Sequence, residues 1–196
     1  MKNLIFALSM LNVGVICSQV GIGTLNPSSQ LEIKSTNTGI PSLELNPQTT
    51  PLGSATGQLS VIGDELSMYD AARGKWLSLQ ATPLQWSKNG NAGNETLRFG
   101  GDTRSINTGA SMPFDGTIVY VTANAEGGNA TKGFEIRIKS GTTLKTTTSF
   151  NLVGSTFKKT DYNVNFSAGD YINVFANNTG GDASDPAVIV WVKWRK

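Results

Sequence analysis

Asp182 and Asp185 stand three residues apart in Asn177–Pro186 (NNTGGDASDP), a run rich in side-chain oxygen. Calcium takes carboxylates and carbonyls of this kind, but the spacing fits no EF-hand loop. The amides, hydroxyl and carboxylates of the run offer both donors and acceptors, which suits sugar hydroxyls or the edge of a protein partner. A solvated turn without a ligand is the bland alternative. Asn177, Asn178, Asp182 and Asp185 are therefore the candidate recognition residues, with no metal and no cofactor assigned. Elsewhere reactive chemistry is sparse. There is no histidine, so the commonest general base and the commonest metal ligand are both missing. The only cysteine is Cys17, which leaves neither a disulfide nor a thiolate metal site within one chain. No phosphate-binding loop, dinucleotide glycine motif or nucleophile elbow occurs. Isolated carboxylates and lysines remain, but nothing in the spacing clusters them, so no catalytic residue is assigned and the chain is expected not to be an enzyme.

The elements that must position these residues read as strands. At 196 residues the chain is long enough for one ordinary core plus appendages. Charged residues make up only 15%, against a usual quarter, and glycine reaches 22 copies, which describes a turn-rich β protein with a polar, uncharged skin. A formal net charge of +2 is too small for a nucleic-acid footprint, so no nucleic-acid partner is expected. Residues 1–18 open with Lys2 and run apolar from Leu4 to Cys17. They read as a secretory signal peptide cleaved before Gln19, or as a retained apolar segment packed in a trimer or anchored in a larger particle. Asn12 and Gly14 interrupt the run too early for a membrane span. Gly14, Val15 and Ile16 do not supply the small residues expected before a lipidated cysteine.

Leu31 and Ile33 alternate with Gln30, Glu32 and Lys34 as one short strand, preceded by Gly21, Gly23 and Pro27. Such a piece cannot bury a core alone, so its apolar edge needs partner chains or a following domain. Pro41, Pro47 and Pro51 make residues 35–56 an extended connector. In Gly57–Gln80, apolar alternation around the turns Gly63-Asp64 and Ala71–Gly74 predicts a three-stranded meander, with Trp76 as its core. Beyond Leu84 six to eight strands follow at spacings near ten residues, including Thr117–Ala123, Phe134–Ile138, Tyr171–Ala176 and Val188–Trp194. That is an antiparallel sandwich or jelly roll.

Three stretches carry resemblances. Gln19–Ile33 (QVGIGTLNPSSQLEI) resembles the VGIGT-type element near the start of many phage tail-fibre and head-fibre proteins. The same element follows the signal peptide in secreted proteins of the Bacteroidetes. Leu59–Leu79, with Tyr69-Asp70 and Lys75-Trp76, resembles the hairpins of phage fibre shafts and bacteroidete surface proteins, with Ala71-Ala72-Arg73-Gly74 lengthening the usual turn. Met112-Pro113-Phe114-Asp115-Gly116-Thr117-Ile118 resembles the opening of an inner strand, and Phe166-Ser167-Ala168-Gly169-Asp170 ahead of Ile172 a turn, of the tumour-necrosis-factor and complement-head jelly rolls, which include the trimeric tips of phage fibres and bacterial exosporium.

The closing strand is apolar on both faces, Val188, Ile189, Val190, Trp191 and Val192. One face can fill a core and the other must be covered. The resemblance implies cover by a homotrimer, whereas a central strand inside one protomer is the alternative. The expectation is thus an all-β chain: an extended N-terminal segment and a small β-meander followed by a C-terminal antiparallel jelly-roll sandwich. Its parts are residues 1–18, a fibre or adaptor segment at 19–56, a meander shaft at 57–83 and a tip domain at 84–196. The resemblances imply a structural fibre or spike subunit of a phage-like particle, on a virion surface. It would pair with itself as a homotrimer, join virion or cell-surface assembly proteins through its N-terminal segment, and engage a host surface glycan or protein. A secreted bacterial surface or matrix adhesion protein, extracellular or at the cell surface, is the alternative. A carboxylate-based glycan-cleaving enzyme is the reading from a third class.

Overall fold

The computed structural model describes residues 20–22, 24–25, 29–36, 39–100 and 109–195, and the chain divides into two compact units, Met1–Asn46 and Pro47–Lys196. The expectations for residues 1–18 with Cys17, and for Gln19, Gly23 and Pro27, lie outside the described residues. In the first unit β1 (Val20–Ile22) and β2 (Leu31–Ile33) pair in parallel, with Val20 opposite Leu31 and Ile22 opposite Ile33. Val20, Ile22 and Leu31 remain 56, 54 and 57% exposed, because two three-residue strands offer no second layer to cover them.

The second unit begins with the meander: β3 (Leu59–Ile62), β4 (Glu65–Asp70) and β5 (Lys75–Ser78), joined by the two expected turns. The segment just ahead of it is already tied down. Gln48 bridges to Ile62, and the Trp76 indole Nε1–H donates to the Pro51 carbonyl at 2.8 Å. Tyr69 meets Trp76 edge to face at 5.4 Å, but Trp76 stays half-buried and Leu77 beside it is the buried apolar residue of β5.

The sandwich starts with β6 (Thr82–Ser87), the two-residue strands β7 (Asn91–Ala92), β8 (Glu95–Thr96), β9 (Arg98–Phe99) and β10 (Ala110–Ser111), and the long β11 (Gly116–Asn124). It continues through β12 (Gly127–Gly128), β13 (Gly133–Ser140), β14 (Thr143–Asn151), β15 (Thr156–Lys159) and β16 (Val164–Phe166). It closes with β17 (Tyr171–Ala176), β18 (Ala183–Ser184) and β19 (Ala187–Trp194). One sheet runs β15-β11-β19-β6-β9, with β16 also on β11; the other runs β10-β17-β13-β14, with β8 also on β17. All their pairings are antiparallel and most join strands far apart in sequence, which is the jelly-roll arrangement. The chain is all-β, with no helix among the described residues.

The core lies between these sheets. Trp86, Ile118, Val121, Val188, Val190 and Val192 from one face Phe134, Ile136, Ile138, Phe150, Ile172 and Val174 from the other. Inward alternation along each strand puts every second residue there. In β11 the register slips between Ile118 and Tyr120, a bulge that inserts Val119 and leaves Ile118 and Val121 both in the core.

The two jelly-roll motifs prove to be neighbours. Asp115 Oδ1 accepts the Ala168 N–H at 2.9 Å, and Met112 exchanges main-chain bonds with Gly169 and Asp170, each at 2.8 Å. Gly116 is required because any side chain there would run into the Phe166 ring. Asp170 Oδ2 accepts the Ser167 N–H at 2.8 Å and the Lys145 ammonium at 2.7 Å.

Candidate functional site

β19 resolves the question of the apolar closing strand. It lies inside the sheet, with β11 on one side and β6 on the other. Val188, Val190 and Val192 are fully buried in the protomer's own core, so the expectation that they line a trimer interface is corrected. Ile189 and Trp191 point to the opposite face and are half-buried. By register, Trp191 stands between Tyr120 and Pro83, and Ile189 between Thr122 and Gln85.

Part of that outer face is covered by the meander. Val119 and Thr117 on β11 are fully buried although neither belongs to the inter-sheet core, and Leu77 of β5 is buried as well. The seam is held by cations. Arg73, whose side chain is only 12% exposed, pairs with Asp70 at 2.6 Å. It also donates to the carbonyls of Tyr162 (2.8 Å), Thr160 (3.0 Å) and Val119 (3.1 Å). Lys75 Nζ donates to Asn163 and Asn165, each at 2.7 Å, and Ser78 Oγ accepts the Trp194 N–H at 3.1 Å. Burial pushes the Asp70 carboxyl up, but the hydrogen bonds and charge of Arg73 outweigh it and hold the pKa below the usual carboxylate value. Burial lowers Lys75, and Arg195 and Arg73 lower it further, against the pull of Asp70.

Residues 177–186 lie at the other end of the sandwich, where β19 begins at Ala187 opposite Ser87. They are more structured than an open loop. β18 forms the middle of a three-stranded sheet between β12 and β7. Asn177 Oδ1 accepts the Thr179 N–H at 2.9 Å, and Asp185 Oδ1 accepts the Gly90 N–H at 2.7 Å, with Asp185 itself at φ 49°. Those two side chains are committed to turn geometry. Asn178 and Asp182 are exposed. The two aspartates are not gathered on one cation, and among the described residues no group of three His, Cys, Asp or Glu side chains could hold a metal.

Lys132 was not legible as special in the sequence. It is 1% exposed, and burial holds its ammonium below the usual lysine pKa while the Asp182 and Glu95 carboxylates resist that fall. Lys88 pairs with Glu95 and the Asn91 carbonyl at the same end. Arg73 was also missed; the only signal is an opposite charge three residues away across a lengthened turn. No protein-family model matches the chain, and no curated protein or solved structure is significantly similar to it.

Proposed function

We propose that the chain is a non-enzymatic fibre or spike subunit, phage-like in its modules, whose jelly roll engages a receptor or glycan on a host surface. The observation that carries the reading is the contrast between a first unit whose Val20, Ile22 and Leu31 stay more than half exposed and a second unit with a closed core. A strand pair that cannot cover itself is suited to joining other chains of an assembly. The half-buried Tyr120, Ile189 and Trp191 on the outer sheet face, beside exposed Pro83, supply a surface for self-association as a homotrimer. The runner-up, a secreted bacterial surface protein, is favoured by the charged and apolar order of residues 1–18.

Mass measurement in solution with a cell-attachment assay tests the proposal. A trimer of the 20.8 kDa chain that attaches to host cells is the expected result. A folded monomer at micromolar concentration overturns the trimer. Turnover of a surface polysaccharide, abolished by one carboxylate substitution, overturns the non-enzymatic role. Processing at the Gln19 bond in a bacterium favours the runner-up.

A further inference from the structure

Where the meander meets the first strand of the sandwich there is a cavity of about 440 Å³. Glu65, Leu66 and Leu79 line one part of it, and Gln80, Thr82 and Trp194 another. The volume falls within the roughly 300–1,000 Å³ of small-molecule sites. Its wall is fixed. The Ser78 hydroxyl donates to the Gln80 carbonyl at 2.8 Å and accepts from the Trp194 N–H. The Trp194 ring is held edge to face by Phe114 at 6.2 Å and Phe166 at 6.0 Å. The lining itself is uncommitted: among the described residues the side chains of Glu65, Gln80 and Thr82 make no hydrogen bond or ion pair. Leu66 and Leu79 remain 40 and 45% exposed.

These groups describe one kind of ligand. An indole and two leucines offer apolar surface, while a carboxylate, an amide and a hydroxyl offer acceptors and donors a few bonds apart. That combination suits a sugar, which has an apolar C–H face and a rim of hydroxyls. The single charge in the lining is the negative one of Glu65, which disfavours anionic sugars. We infer that the cavity binds a neutral sugar, with Trp194 and the leucines offering its apolar wall and Glu65 and Gln80 taking hydroxyls. This rests on the glycan-engaging reading above and names its site and sugar class.

Titration of the full chain with diacetylchitobiose, followed by tryptophan fluorescence and saturation-transfer NMR, tests it, with sialyllactose as the anionic comparison. Saturable binding of diacetylchitobiose is expected, weakened about tenfold in Gln80→Ala and in Glu65→Ala at unchanged melting temperature. No saturable binding by the wild type, equal binding by both variants, or tighter binding of sialyllactose overturns the inference. Cell attachment is read separately. Attachment that survives in a Glu65→Ala/Gln80→Ala chain that has lost sugar binding overturns the cavity as the recognition site and leaves the fibre reading standing. A wild type that binds the sugar but attaches to no cell supports the cavity and sinks the fibre reading.

Discussion

At the end of the sandwich where β6 enters and β19 leaves, long cations reach across to main-chain carbonyls, Arg73 to three of them and Arg195 to those of Gly116 and Phe166. At the end carrying residues 177–186, short side chains cap neighbouring N–H groups and glycines make the turns, as with Asp185 on Gly90 and Gly128 at φ 74°. The first end has to hold a separate layer, the meander, against a sheet whose main chain still has acceptors to spare. Arginine does this well because one planar fork carries five donors. The second end mostly turns the chain within small space, which short amides and glycines do, with Lys88 on Glu95 and the Asn91 carbonyl as its own cation contact.

Arg73→Ala is the hardest blow to that contrast. It removes four interactions and leaves carbonyls under the meander without donors, so a loss of about 3 kcal/mol is expected. Chemical denaturation should show it, and limited proteolysis should cut first in the meander. Arg73→Lys should recover only part, since a point charge cannot serve the same fork of acceptors. If both variants melt like the wild type, the cationic seam is not what holds the meander.

Gly128→Ala probes the other end. Its positive φ strains any side chain, and an added methyl would meet the Asp182 carbonyl, so about 1–2 kcal/mol should be lost. Hydrogen exchange should rise around β12 and β18 and stay unchanged in the meander. A loss of protection in the meander instead would mean that the two ends are coupled.

Acid gives the mildest effect and separates the ends by chemistry. The folded-state pKa of Asp70 lies below its ordinary value of 3.8, so its contribution is complete above that value and disappears as pH falls through the lower folded value. Near-UV signal from the meander tryptophan should therefore hold from neutrality to mild acid and drop only in strong acid. A chain carrying Asp70→Asn should lose that dependence; a wild-type signal that already falls near neutrality would refute the assignment.

The contrast also shows what could be read from the residues alone. Strand alternation reported Phe134–Ile138 because burial there has a period of two, and turns such as Gly63-Asp64 announce themselves through glycine. The apolar closing strand was equally visible, but not its place in the sheet. A strand flanked on both sides and one covered by another protomer share the same composition, and only the pairing of β19 with β11 and β6 distinguishes them. Arg73 and Lys132 were silent for a related reason. Their partners lie far away in sequence or are main-chain atoms, which carry no residue signature.

The central position of β19 also dictates a timetable. β6 and β11 do not pair with each other; β19 is the strand that joins them, β6 otherwise pairing with β9 and β11 with β15 and β16, and Trp86 finds Val188 about 100 residues later. A nascent chain that has not yet released β19 has no six-stranded sheet, and must carry the apolar inner residues of β6 and β11 uncovered while it waits. Pairings so distant along the chain make folding slow, on the order of milliseconds to seconds. Any association through this sheet therefore waits until the chain has emerged far enough to seat its strand.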